Sequence, residues 1–200
     1  MNNEMKKSAR NARKEQTRRL TITGMLSAVT MILSATPLGF IPLGIFNVTT
    51  VHIPVIIGAV VEGPLVGAII GLVFGLSSWI KHLTAPAAIS FIFWNPLISV
   101  VPRVLIGVLS GYFYKLLSKT KWNKKILYFA TGMFGTFVNT FFVLGGAYVL
   151  YASRIVEKFS PPGGASAFLI GIATANGLPE MLVSAIITLA VASAIEKTKK

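Results

Sequence analysis

The chain has 200 residues, of which 54% are hydrophobic, and it carries 19 Lys and Arg against six Glu, with no Asp and no Cys. This composition leaves room for one compact domain and excludes a disulfide framework, thiolate metal sites and a cysteine nucleophile. The net charge of +13 does not indicate nucleic-acid binding, because all basic residues but four lie in three clusters, Lys6 to Arg19, Lys115 to Lys125 and Lys197 to Lys200. Basic clusters separated by long apolar stretches predict an integral membrane protein.

Apolar runs bounded by Pro, Gly or charge predict an all-α bundle of six transmembrane helices. A basic N-terminal tail, residues 1–19, precedes a membrane domain over about residues 20–196. The predicted spans are about 20–36, 48–61, 64–80, 96–117, 126–151 and 167–195.

Two of the predicted spans are irregular. The second is too short to cross a hydrocarbon core of about 30 Å at about 1.5 Å per residue, and Asn176 to Pro179 interrupt the sixth. Irregular backbone at membrane depth is tolerated where it is buried in protein or lines a cavity. We therefore expect the loop over residues 37–50 and the break in the sixth span to form walls of a cavity.

The basic clusters also predict an orientation. With an even number of spans, both termini and the loop between the fourth and fifth spans lie on one face, which the positive-inside rule makes cytoplasmic. The cavity then opens toward the outside of the cell membrane.

Polar side chains gather at the predicted level of this cavity. Arg103, inside the fourth span, either anchors the helix at the interface or binds a ligand carboxylate or phosphate in fork geometry. Glu180 is expected to pair with Arg103 or to bind a ligand group, whereas Trp79 and Trp94 suit an interfacial aromatic belt as well as a ligand platform. The candidate substrate-binding residues are Asn47, Thr50, His52, Trp79, Lys81, Trp94, Asn95, Arg103, Asn139, Asn176 and Glu180.

No cofactor or catalytic group is predicted. Two His without Asp or Cys make a poor metal site, and H-E-x-x-H, G-x-S-x-G and Walker-type motifs are absent from the sequence. An enzyme is therefore not expected.

Small residues repeat at helical spacing on two spans. Gly63, Gly67, Gly71 and Gly75 on the third favour close packing inside the chain. Gly24 and Ala28 on the first fit either internal packing or docking to another membrane subunit.

Two blocks, FNVTTVHIPVIIGA over residues 46–59 and EGPLVGAIIGLVFGL over residues 62–76, together with the six-helix plan, resemble the substrate-binding S component of an energy-coupling factor (ECF) vitamin transporter. The resemblance implies a membrane protein that binds a water-soluble vitamin from outside. It also implies docking to a membrane coupling subunit that carries two ATPase subunits. Gly24 and Ala28 share the small-residue character of the family's docking helix.

Among such proteins the chain is most similar to the pantothenate-type members. Their ligand is a small carboxylate with amide and hydroxyl groups, which Arg103 and the Asn side chains would suit. A hydroxymethylpyrimidine or pyridoxine-type ligand stacking on Trp79 or Trp94 is the alternative vitamin. A non-transport assembly protein of the envelope is the alternative of another class.

Overall fold

The structure is a computed structural model that describes residues 2–43 and 46–198, and helices dominate these residues. A 3₁₀ turn at Pro37–Gly39 leads into an antiparallel hairpin of β1 (Phe40–Leu43) and β2 (Phe46–Thr49). The helices are α1 (Asn2–Ala35), α2 (Ile53–Glu62), α3 (Pro64–Thr84), α4 (Ser90–Phe93), α5 (Pro96–Ser99), α6 (Val101–Leu117), α7 (Lys124–Phe159), α8 (Gly164–Ile172) and α9 (Leu178–Thr198).

The predicted helical membrane fold is confirmed. Four segments are long and apolar enough to cross a bilayer: Pro64–Thr84, Pro96–Leu117, Lys124–Phe159 and Gly164–Lys197. Many large apolar side chains on them are exposed, as lipid contact requires. The protein is therefore membrane-embedded.

Three local features differ from the sequence prediction. α1 begins at Asn2, so the basic segment predicted as a tail continues the first helix. The loop predicted over residues 37–50 contains the β1–β2 hairpin, which satisfies backbone groups without a helix. The sixth span keeps its helical path through a π-helical segment, Ala173–Gly177, ahead of Pro179. Pro lacks an N–H and clashes with the preceding turn, which accounts for the widened turn.

α2 is the centre of the molecule. Nine of its ten residues are buried, and it contacts α1, α3, α6, α7 and α9. At about 1.5 Å per residue it covers only about half of the apolar core. The β1–β2 hairpin directly precedes it.

The glycines of α3 pack against α6. A Cβ atom at Gly67 would lie 2.9 Å from the Cα of Gly107, and one at Gly75 would lie 2.7 Å from the Cα of Val100. These approaches require the absence of a side chain, so the predicted internal packing of this face is confirmed. Gly63 has a different role, since its φ of 101° suits glycine in the turn before Pro64. Gly24 on α1 is exposed, and a Cβ there would meet nothing within 4 Å.

Candidate functional site

A cavity of about 280 Å³ lies at the end of the bundle where α1 ends and α6 begins. Its walls come from the hairpin, the second half of α3, α4 with the residue before it, the middle of α7, α8 and the π-helical segment. Phe74, Phe93 and Phe168 belong to its largely apolar lining. Its polar lining consists of Ser34, Thr49, Ser78, Lys81, His82, Arg103, Asn139, Thr140, Asn176 and Glu180.

Arg103 is the most unusual residue of the lining. Its side chain is buried, and its guanidinium carbon lies 5.3 Å from the ring centres of both Phe74 and Phe93. Nη1 donates a hydrogen bond to the carbonyl of Ile98, while Nε has no hydrogen-bond partner among the described residues. The two rings attract the cation but do not neutralise its charge. Among the described residues, no carboxylate forms an ion pair with Arg103.

Glu180 does not form the predicted ion pair with Arg103. Its Oε1 accepts a hydrogen bond from the backbone N–H of Thr49 at 2.8 Å, which ties the start of α9 to β2. From the sequence, Arg103 and Glu180 are expected at the same depth in the membrane. The sequence does not show that a backbone N–H of the hairpin, and not Arg103, donates to the Glu180 carboxylate. Glu180 thus fastens two walls of the cavity.

Two further predicted residues show different hydrogen-bonding states. Lys81 Nζ donates to the carbonyl of Ser34 at 2.9 Å and joins α3 to α1. Asn139 Oδ1, in the middle of α7, is buried and has no partner among the residues that the structure describes. A buried acceptor without a donor costs free energy, and a ligand N–H or O–H would satisfy it.

Five of the eleven predicted residues therefore line the cavity: Lys81, Arg103, Asn139, Asn176 and Glu180. The side chain of Asn47 lies outside the described part of the structure. The other five do not line the cavity and have hydrogen bonds within the fold, which corrects their predicted position.

The polar residues among these five are engaged within the fold. His52 is fully buried, with its Nε2 2.9 Å from Thr136 Oγ1. Thr50 Oγ1 donates to the carbonyl of Leu38 at 3.3 Å. Asn95 Oδ1 accepts from the backbone N–H of Leu97 and so caps α5.

The two tryptophans donate to backbone carbonyls. Trp79 Nε1 lies 2.9 Å from the carbonyl oxygen of Trp94, and Trp94 Nε1 lies 3.0 Å from that of His82. Because neither ring lines the cavity, neither is placed as a stacking platform for a ligand there.

Sequence reasoning missed Ser34, Ser78 and Thr140 as lining residues. A signal for Ser78 exists, since it lies three positions before Lys81 and four after Phe74 and so shares their helix face. Serine and threonine are common on membrane helices, which hides those that face a cavity.

The formal charge of the lining favours an anionic ligand. Lys81 and Arg103 are cationic, and Glu180 is the one carboxylic acid among the lining residues that the structure describes. Within the same residues, no group of three or more His, Asp or Glu side chains is arranged to hold a metal ion. The lining groups can bind a ligand by hydrogen bonds and by charge.

The chain belongs to the family of substrate-specific components of ECF transporters, whose model matches residues 18–192. The resemblance seen in the sequence is thereby confirmed. The members of this family are substrate-binding subunits that work with an ECF module and are not enzymes. The alternative of a non-transport assembly protein is set aside.

Two curated proteins are similar in sequence to most of the chain. One is the pantothenic acid transporter PanT of Lactococcus lactis subsp. cremoris (strain MG1363), 30% identical over 166 residues that cover 76% of this chain and 79% of that protein. Another is the pantothenate transporter PanT of Leuconostoc mesenteroides subsp. mesenteroides, 27% identical over 191 residues, or 90% and 93%.

A solved structure shares the fold. ThiT from Listeria monocytogenes superposes with a TM-score of 0.62 at 23% identity, covering 91% of this chain and 97% of that one. At this identity the likeness concerns the arrangement of the helices.

Proposed function

We propose that this protein captures pantothenate from outside the cell as the substrate-binding subunit of an ECF importer. The observation that carries the proposal is the buried guanidinium of Arg103, which lines the cavity, has no carboxylate partner among the described residues and leaves Nε unbonded. A ligand carboxylate supplies the missing negative charge. The names of the two PanT relatives support the choice of pantothenate.

The contacts of Arg103 favour one edge of the guanidinium for the carboxylate. Nη1 is engaged with the carbonyl of Ile98, which leaves the edge formed by Nε and Nη2. Parallel hydrogen bonds from such an edge to both carboxylate oxygens are among the strongest polar contacts in proteins. The rings of Phe74 and Phe93, each with its centre 5.3 Å from the guanidinium carbon, help to hold the guanidinium in place.

The rest of the cavity suits the remainder of pantothenate. Asn139 Oδ1 is available to accept from the amide or a hydroxyl group, and Asn176 and Ser78 offer further polar atoms. The volume of about 280 Å³ is at the small end of ligand pockets, which span about 300–1,000 Å³. This size fits a small, flexible vitamin better than riboflavin or folate.

The proposed function includes a membrane topology and a docking face. α1, α2 and the four long segments form six spans with both termini in the cytoplasm, because the described residues of the three basic clusters belong to the end of the bundle away from the cavity. A membrane coupling subunit with two ATPase subunits then docks on the α1 face that carries Gly24 and Ala28. Both residues are exposed, as docking requires.

The test is calorimetric titration of the detergent-purified protein with pantothenate and with pantothenol, which replaces the carboxylate by an alcohol. We expect saturable binding of pantothenate and about 10- to 100-fold weaker binding of pantothenol, because a hydrogen bond to a charged group contributes about 1.5–3 kcal/mol. Equal affinities would contradict recognition of the carboxylate. Saturation by pyridoxine or hydroxymethylpyrimidine alone would overturn the choice of vitamin.

A further inference from the structure

Two tryptophans bridge the end of α3 and the α4–α5 segment with crossed hydrogen bonds. The indole of Trp79 donates to the carbonyl of Trp94 at 2.9 Å, and the indole of Trp94 donates to the carbonyl of His82 at 3.0 Å. The second bond has a clear cause. The carbonyl of His82 lies in the last turn of α3, and the residue four positions on, Pro86, has no N–H to donate.

The crossed bonds lie next to a stack of groups that leads to the cavity. The rings of His82 and Phe93 are parallel within 10°, with their centres 4.4 Å apart. The ring centre of Phe93 also lies 5.3 Å from the guanidinium carbon of Arg103. His82 also approaches Ser90, with Nδ1 2.8 Å from Oγ. A chain of contacts therefore runs from the indole of Trp94 to the backbone carbonyl of His82, from the His82 ring to the Phe93 ring, and from there to the guanidinium of Arg103.

The segment that carries Phe93 is held from two sides. On the α3 side are the crossed indole bonds and the His82 stack. On the α7 side, Lys158 donates to the carbonyl of Ala88 at 2.8 Å and lies 5.0 Å from the ring centre of Phe91. Ile89, Ile92 and Phe93 of this segment form one wall of the cavity. Loosening the α3 side would move Phe93 and the guanidinium it contacts.

We infer that Trp79 and Trp94 are positioning residues for anion recognition, which hold Phe93 against Arg103 and so set how long a carboxylate ligand stays bound. They act without touching the ligand, because neither side chain lines the cavity. This inference rests on the proposed function, in which Arg103 binds a carboxylate. In the sequence analysis both tryptophans are candidates for stacking on a ligand. In this inference they instead support the wall of the cavity that contains Phe93.

The first test compares Trp79→Phe and Trp94→Phe with the matched control Trp122→Phe. Each change keeps an aromatic ring and removes one indole N–H. Trp122 is 58% exposed in the connection between α6 and α7, at the other end of the bundle. We expect radiolabelled pantothenate to dissociate about 2- to 10-fold faster from either of the first two variants and at the wild-type rate from the control. The ratio of pantothenate to pantothenol affinity should fall in the same two variants.

The second test needs no ligand. Hydrogen–deuterium exchange of residues 85–95 in the ligand-free protein should be faster in Trp94→Phe than in Trp122→Phe, with both variants folded by thermal melting. Faster exchange with unchanged pantothenate dissociation would overturn the inference, because the indoles would then support only the segment. Unchanged exchange would also overturn it. Failure of the wild-type protein to bind pantothenate would instead remove the proposed function on which the inference rests.

Discussion

The two ends of the bundle treat their cations differently. At the end away from the cavity, Arg18 and Arg19 lie 3.4 Å and 3.6 Å from the carboxylate of Glu62, and Lys124 pairs with Glu196. At the cavity end, Arg103 is buried and forms no ion pair within the described residues. The sequence has six Glu, and the acids with ion pairs in the structure belong to the basic end.

The difference has an energetic meaning. The side chains of Arg18 and Arg19 are about half exposed, so water already solvates their charges and each pair adds about 0–1 kcal/mol. A buried cation without a partner lowers stability, because no opposite charge offsets the cost of removing it from water. A residue kept in spite of that cost is a candidate for function. The ion pairs therefore link elements at the basic end, whereas the buried Arg103 is the residue for which we propose a role in ligand recognition.

The largest effect is expected for Arg103→Gln. The substitution removes the charge but keeps a polar side chain, and we expect pantothenate affinity to fall about 30-fold or more, since truncating one partner of a buried charge pair costs about 2–5 kcal/mol. The melting temperature should not fall. Calorimetric titration and a thermal melt measure the two quantities.

Arg103→Lys is the matched control for this prediction. It keeps the charge but loses the planar fork, so its affinity should lie between those of Arg103→Gln and the wild type. Wild-type pantothenate affinity of a folded Arg103→Gln variant would contradict the proposal that Arg103 binds the ligand carboxylate.

A smaller effect is expected for Ala28→Trp on the exposed face of α1. A bulky residue that a partner helix must accommodate costs about 1–3 kcal/mol, so uptake by whole cells should fall about tenfold while binding to the purified subunit is unchanged. Thr21→Trp, also exposed on α1 but nearer the basic end, serves as a positional control. Normal uptake by the Ala28→Trp variant would show that this face is not the docking surface.

Glu62→Gln tests the basic end. The Arg18 and Arg19 side chains stay solvated after the change, and Arg19 keeps its 3.0 Å bond to the backbone carbonyl of Glu62. We therefore expect a loss of only about 1 kcal/mol, a lowering of the melting temperature by about 2–4 °C, and unchanged pantothenate affinity. The same change at the exposed Glu157 should leave the melting temperature where it is. A loss of pantothenate affinity in Glu62→Gln would contradict this expectation, because it would show that ligand binding depends on the ion pairs of the basic end.

Sequence patterns predict the helical membrane fold and part of the site. Apolar run lengths and the glycine spacing on α3 are local, periodic signals, and both correspond to structure. Arg103 and Glu180 are visible for a similar reason, since ionisable residues inside spans are rare and expensive.

The rest depends on contacts that no local pattern contains. Which face of α7 carries Asn139 into the cavity is decided by packing against several helices. His52 and Trp94 have the same residue types that ligand sites use, yet Thr136 Oγ1 and the carbonyl of His82 are their partners. The extended backbone of Phe40–Leu43 and Phe46–Thr49 is equally hard to predict, because within the described residues each strand pairs with the other and with no further strand.

The smallest effects are expected when the NaCl concentration is raised, which should lower thermal stability through the basic end but leave pantothenate affinity at the cavity end nearly unchanged. The Debye length falls from about 10 Å at 0.1 M salt to about 3 Å at 1 M, and screening acts mainly on exposed charges. The thermal stability of the wild type should therefore move toward that of Glu62→Gln as NaCl rises, whereas pantothenate affinity should change by less than about twofold, because Arg103 is buried. A steep loss of affinity with salt would mean that the ligand carboxylate meets solvated cations, and Lys81 would then replace Arg103 as its partner.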